Sequence, residues 1–266
     1  MNKRATISTI GILMIIFFLF PFSKIEAEIP EIEKNEMYFA FFNLPDGESS
    51  LLKTANDFNI LINTGSLKSE KKLIFQLKEL SISNIDTLIL TKQTIDYCGN
   101  AERLIERYNI KNIVYSGQLS DACKEQVKGS SLKKWNSDET YKFGEHLGFK
   151  VLKAGLNGSM SLGITYGKTS IMYLSNSDIK DEEELLKSSF EPEILKIGDY
   201  AEGNSPSNDF LKKVDPHLSI IFPCKQCKQN SGIIERMNES WIDVYQLDHV
   251  GTTIIRMNLH DYEILS

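Results

Sequence analysis

Asp86-Thr87-Leu88-Ile89-Leu90 runs directly into Thr91-Lys92-Gln93-Thr94-Ile95-Asp96-Tyr97-Cys98-Gly99-Asn100, and this stretch decides the fold. Its first half is a short apolar run, the pattern of a buried strand. Its second half is a polar turn, and residues 101–108 beyond it carry a helical pattern. A strand that ends in a polar turn and enters a helix places the turn's side chains over the carboxyl edge of a sheet, where α/β proteins build their sites.

Working outward, apolar runs and helical runs alternate along the chain. The pattern predicts strands over 37–42, 50–54, 59–62, 87–90, 112–115, 148–152, 162–166, 170–174, 193–197, 218–222, 244–247 and 253–257. Helices fit between them. Residues 69–80 carry Leu73, Ile74, Leu77 and Leu80 at helical spacing, and 181–188 read as a charged helix. Ser205-Pro206 offers an N-cap and a first-turn proline for a helix ending near Val214, and a further helix is expected over 232–238. Periodicity alone supports a mixed α/β chain.

Six fragments in order narrow this further. The turn after Leu90 resembles the T-H-x-H-x-D-H-x-G turn of metallo-β-lactamase-fold hydrolases, and residues from about Met37 onward resemble the extracellular metallo-β-lactamase-like domain of ComEC-type competence proteins. Leu44-Pro45-Asp46-Gly47-Glu48-Ser49 looks like that family's V-G-Q-G-D-S, and Ile60-Leu61-Ile62-Asn63-Thr64-Gly65 like its I-L-I-D-T-G, with Asn63 in place of aspartate. Ser161 to Gly167 and Ser170 to Asn176 resemble the strand pair ending in L-T-G-D. Ile194-Leu195-Lys196-Ile197-Gly198-Asp199-Tyr200 is similar to L-K-V-x-H-H, and Val244 to Asp248 with Gly251-Thr252 resembles V-Y-R-T-D and G-T. The resemblance implies a four-layer αββα sandwich and a zinc site.

The zinc chemistry is missing from the residues. The three histidine positions of the turn hold Lys92, Thr94 and Tyr97, leaving Asp96 and Gly99 in pattern. Asn176 falls where the metal-bridging aspartate belongs, with Asp178 as an offset rival, and Asp199 and Tyr200 replace the later histidines. A catalytic zinc site needs imidazoles or carboxylates converging on the ion. The four histidines, His146, His217, His249 and His260, all lie outside these positions and read as surface or turn residues, His249 in a hairpin turn. No zinc or other cofactor is therefore expected, although Asp96, Asp199 and Asp178 could offer oxygen ligands to a harder ion. Lys92 either supplies the missing positive charge between Asp96 and Asp199 or points to water.

The 266 residues suit one core. Residues 1–27 are set apart: Lys3 and Arg4 precede an apolar run from Ile7 to Phe22, followed by Ser23 to Ala27, so this segment reads as a signal peptide or a retained membrane anchor. Residues 28–266 would form the domain, secreted or anchored outside the cytoplasm. The whole chain has a formal charge of −6, and losing Lys3, Arg4, Lys24 and Glu26 with the leader brings it to about −8. Such a surface is a poor footprint for nucleic acid or anionic lipid.

Four cysteines in an exported protein are expected to pair, and three connectivities exist. Cys98 at the start of one helix and Cys123 on the next favour one bridge, leaving Cys224 with Cys227 as a local staple. A C-x-x-C between a strand and a helix also has a redox reading, since that setting can lower a thiol pKa. The function expected from all this is an exported, catalytically inactive protein of the fold that binds a protein or small-molecule ligand. The alternative is a metal-dependent, phosphodiesterase-like hydrolase with an unorthodox site.

Overall fold

The computed structural model describes residues 30–265. The expected signal or anchor over 1–27 lies outside them. Contacts divide the chain into residues 1–30 and a unit from Glu31 to Ser266, and the second unit is the one described below. Among the described residues no helix is long and apolar enough to cross a membrane.

In chain order the strands are β1 (Met37–Phe41), β2 (Ser50–Thr54), β3 (Asn59–Ile62), β4 (Thr87–Ile89), β5 (Asn112–Tyr115), β6 (Ser131–Lys134), β7 (Thr140–Phe143), β8 (Leu147–Ala154), β9 (Met160–Tyr166), β10 (Thr169–Tyr173), β11 (Ile194–Lys196), β12 (Leu218–Ile221), β13 (Asp243–Gln246), β14 (Thr253–Met257) and β15 (Tyr262–Leu265). They form two sheets, ordered β15-β14-β1-β2-β3-β4-β5-β6 and β13-β12-β11-β10-β9-β8-β7. Each sheet joins an antiparallel half to a parallel half: β3 to β6 in the first, β10 to β13 in the second. Parallel neighbours need crossovers, and the helical segments supply them. The expected αββα sandwich is the fold observed.

Strand parity sorts the core. Met37, Phe39 and Phe41 of β1 meet Phe149, Val151, Leu162, Ile164, Ile171 and Tyr173 between the sheets. The alternate residues Met172, Leu174, Leu195 and Ile197 face outward and pack with Leu185, Phe210, Leu211, Ile233 and Met237 from the covering helices. On the other side Leu73 and Leu77 of the Glu70–Glu79 helix are buried.

Several expectations need correction. β6, β7 and β15 fell outside the predicted strands. β6 and β15 are edge strands, as is β7 in its own sheet; Ser131–Lys134 is exposed throughout and does not alternate, whereas Thr140–Phe143 alternates exposed and half-buried residues over only four positions. Ser207, rather than Ser205, caps the Asn208–Val214 helix, its hydroxyl accepting the Phe210 N–H at 3.2 Å while donating to Glu182 at 2.5 Å. His249 lies in a helical turn, Leu247–Val250, rather than a hairpin. Cys98 closes the short Ile95–Cys98 helix rather than opening the next, which begins at Ala101.

Candidate functional site

The loops that follow β1, β3, β4, β10 and β11 meet at the carboxyl edge of the parallel strands. Gly47 lets two of them touch: it has φ +78°, and a Cβ there would lie 2.3 Å from the Asp96 carbonyl oxygen. Next to it the Glu48 N–H donates to that same carbonyl at 3.1 Å. Glu48 thereby turns inward and is fully buried.

Its partner is Lys196. In β11, Ile194 faces the inter-sheet core and Leu195 faces the helices, so parity turns Lys196 inward as well. Its Nζ lies 2.5 Å from Glu48 Oε2, and neither side chain is exposed. The ammonium donates to the Leu174 carbonyl at 3.1 Å and sits 4.5 Å from the centre of the Tyr173 ring. Glu48 Oε1 accepts from Asn63 Nδ2 at 2.9 Å and from the Tyr173 hydroxyl at 3.1 Å. Burial pushes the Glu48 carboxyl up and the Lys196 ammonium down, while each partner's charge pulls the other back toward ionisation.

Asn63 explains itself here. Its Oδ1 accepts the Thr91 N–H at 2.8 Å, which orients the amide so that Nδ2 reaches both Glu48 and Thr91 Oγ1. An aspartate in its place would set a second carboxylate against Glu48 with one buried ammonium to balance both. Asn63 also has φ 60°, a backbone region asparagine tolerates better than most residues.

A second pair lies nearer the surface. Lys92 Nζ bonds to Asp199 Oδ1, with side-chain exposures of 19% and 34%. Asp199 Oδ2 accepts the Ser177 N–H at 3.1 Å. The chain there passes Asp199, Tyr200 and Ala201 in succession at φ 44°, 53° and 63°. Gly198 admits this turn, because a Cβ on it would meet the Asn176 carbonyl oxygen at 2.2 Å. Tyr97 and Tyr200 bring buried rings together at 6.1 Å, and the Lys92 ammonium lies 5.7 Å from the Tyr97 ring centre. Both phenol hydroxyls are buried, with each other as polar neighbours. Burial, with nearby carboxylates, raises both phenol pKa values.

The structure thus brings Lys92, Tyr97, Asp199 and Tyr200 together, with three departures from the sequence reading. Lys92 pairs with Asp199 alone, so it does not bridge to Asp96; that half-buried carboxyl is pushed up by burial and by Asp46. Asn176 turns its amide to Asp181 at 3.0 Å, and Asp178 is spent as an N-cap, accepting the Lys180 N–H at 3.0 Å. Thr94 is the exposed N-cap position of the Ile95–Cys98 helix, and its side chain makes no cap bond.

Among the described residues no group of three or more His, Cys, Asp or Glu side chains is placed to hold a metal. A metal centre needs lone pairs converging on one point. Here Lys92, at a former histidine position, turns an ammonium group, which has none, onto Asp199. The residues present do not fit a zinc ion.

Around this edge both expected bridges are found. Cys98 and Cys123 are joined with Cα atoms 5.6 Å apart, and Cys224 and Cys227 with Cα atoms 5.3 Å apart. The first is buried completely. The second borders a cleft of about 410 Å³ formed by loops after β1, β12 and β13.

Two sheets flanked by helices, with loops converging at one edge, define a protein of the metallo-β-lactamase fold. Among solved structures the chain is similar to the metallo-β-lactamase fold protein YhfI from Bacillus subtilis, at 13% identity and TM-score 0.59 over 83% of this chain and 100% of that one. It is also similar to Igni18, a metallo hydrolase from Ignicoccus hospitalis, at 12% identity and TM-score 0.54 over 86% and 99% of the two chains. In sequence it is 23% identical to ComE operon protein 3 of Bacillus subtilis over 274 residues, covering 90% of this chain and 34% of that protein. The chain therefore spans about a third of that relative's length. No family model matches the chain.

Sequence reasoning missed the Glu48–Lys196 pair as a functional element, although both residues stood in quoted fragments. A signal was present. The strand Ile194–Lys196 alternates inner and outer positions, so a lysine at an inner position demands a buried anion.

Proposed function

We propose that this protein is an exported metallo-β-lactamase-fold protein that works by binding and not by metal-assisted hydrolysis. The observation that carries this reading is the Lys92 ammonium on Asp199, two residues that stand where the resembled turn and segment carry histidines, at the sheet edge where the fold gathers its site. A cation fixed there repels a divalent ion and consumes the carboxylate that would attract one. The leader-like residues 1–27 and the paired cysteines support export. The cleft of about 410 Å³ beside Lys72, Lys225 and Asp248 offers room for a small molecule or a partner's loop. An acidic surface argues against nucleic acid as that ligand.

The test is direct. Protein purified without chelator, then exposed to excess zinc and desalted, should retain no stoichiometric zinc by elemental analysis and hydrolyse neither a phosphodiester nor a β-lactam. Near two zinc ions per chain with chelator-sensitive turnover would overturn the reading in favour of an unorthodox hydrolase.

A further inference from the structure

The two disulfides occupy opposite environments, and this difference has chemical consequences. Cys98 and Cys123 are both fully buried, so an external thiol cannot reach either sulfur without unfolding the turn that holds them. Cys224 and Cys227 are both partly exposed, and Cys224 lines a cleft together with Pro45, Lys72, Lys225 and Asp248. The bridge spans three positions in a loop between β12 and the Ser231–Glu239 helix. Lysines beside a cysteine favour its thiolate, which is both the nucleophile and the leaving group of thiol–disulfide exchange. The chain has no free cysteine that could resolve or scramble this bridge internally.

We infer that Cys224–Cys227 is an exchangeable disulfide that oxidises a dithiol of an incoming peptide or protein segment held in the adjoining cleft. A thiolate of the incoming dithiol attacks Cys224 Sγ, the cleft-lining sulfur, and the Cys224–Cys227 bond breaks. Cys227 departs as a thiolate and takes up a proton from water. The second thiolate of the segment then attacks its own sulfur in the mixed disulfide and expels Cys224. The segment leaves with a new disulfide, and the protein keeps two thiols. Two electrons pass from segment to protein, and an external disulfide of the oxidising compartment restores the starting state. Lys72 and Lys225 act as positioning residues, holding positive charge where thiolates form.

The experiment uses the full mature chain and a synthetic reduced peptide carrying two cysteines. Oxidised protein should convert the peptide to its disulfide at least about tenfold faster than oxidised glutathione at equal concentration, the margin expected when a proximal cation raises the thiolate fraction of the leaving group. Alkylation and mass analysis should find Cys224 and Cys227 modified and Cys98 and Cys123 protected. Cys227→Ser, which leaves no disulfide at this place, should leave the peptide reduced. Lys225→Gln should slow exchange and move its pH profile toward higher pH, an effect that a purely structural role would not produce. A rate no faster than glutathione, reduction of both bridges in parallel, or an unmoved pH profile in Lys225→Gln would each overturn the inference.

Discussion

Two lysine–carboxylate pairs each take one member, Lys196 or Asp199, from the end of β11 and the turn after it, yet they belong to different physical regimes. Lys196 and Glu48 are sealed between the sheets, where water cannot compensate either charge. Lys92 and Asp199 lie at the mouth, with about a third of the Asp199 side chain in contact with solvent. Coulomb attraction alone would rank the two similarly. Desolvation separates them: a buried pair gains little over an apolar replacement but becomes very costly when one partner is removed, whereas an exposed pair contributes little either way. The inner pair therefore holds the site together, and the outer pair tunes its surface.

The largest effect should come from Lys196→Met, which leaves Glu48 buried and unbalanced. Denaturant melts at neutral pH should show a loss of about 3–5 kcal/mol. The sign of the pH dependence follows from Glu48, whose carboxyl is raised above 4.5 by burial. Stability contributed by a raised carboxyl is complete below the unfolded value and disappears as pH rises through the folded one. Losing the ammonium raises Glu48 further, so the variant's deficit should shrink on acidification. A deficit that stays constant from neutral to mildly acidic pH would break the distinction between the two pairs.

A smaller loss, about 0.5–1 kcal/mol, is expected for Lys92→Met, because the pair is part-exposed and screened. High salt should diminish it, while the Lys196→Met deficit should hardly respond. Asp96 adds a pH arm: its carboxyl is raised by burial and by Asp46, and Lys92 opposes that shift. Without Lys92 it should rise further, so this deficit too should shrink in mild acid. A loss of 3 kcal/mol or more would mean that the outer pair is as desolvated as the inner one.

Tyr200→Phe should have the smallest effect. Its buried hydroxyl has the Tyr97 hydroxyl as its polar neighbour, so removing it should leave stability within about 0.5 kcal/mol of wild type. A loss above about 1.5 kcal/mol would sharpen the picture differently, by showing that a water or a bound ligand satisfies that hydroxyl in solution.

Much of the architecture was legible because it depends on local pattern. The run from Asp86 to Leu90 and its polar turn announced a strand feeding a site. The edge strands β6, β7 and β15 escaped notice because each is four residues long at a sheet margin, too short a window for its pattern to stand out, and β6 is exposed throughout. Among the site residues, the absence of histidine at Lys92, Thr94, Tyr97, Asp199 and Tyr200 could be read directly from the chain.

The sequence by itself determined the fold class, the loss of the imidazoles and the placement of Lys92 and Asp199 at one sheet edge. Which lysine became the buried counter-ion was decided only by tertiary structure. Lys92 and Lys196 look equally plausible in the chain, and burial is not a local property: it depends on how closely the second sheet and its loops approach. Parity turns Lys196 into the inter-sheet space, Gly47 brings Glu48 within reach, and Tyr173, Phe222 and Asn63, from distant parts of the chain, exclude the water that would otherwise share the charge. Lys92 starts from the end of a strand, reaches the rim and stays partly hydrated, because nothing in the fold closes over it.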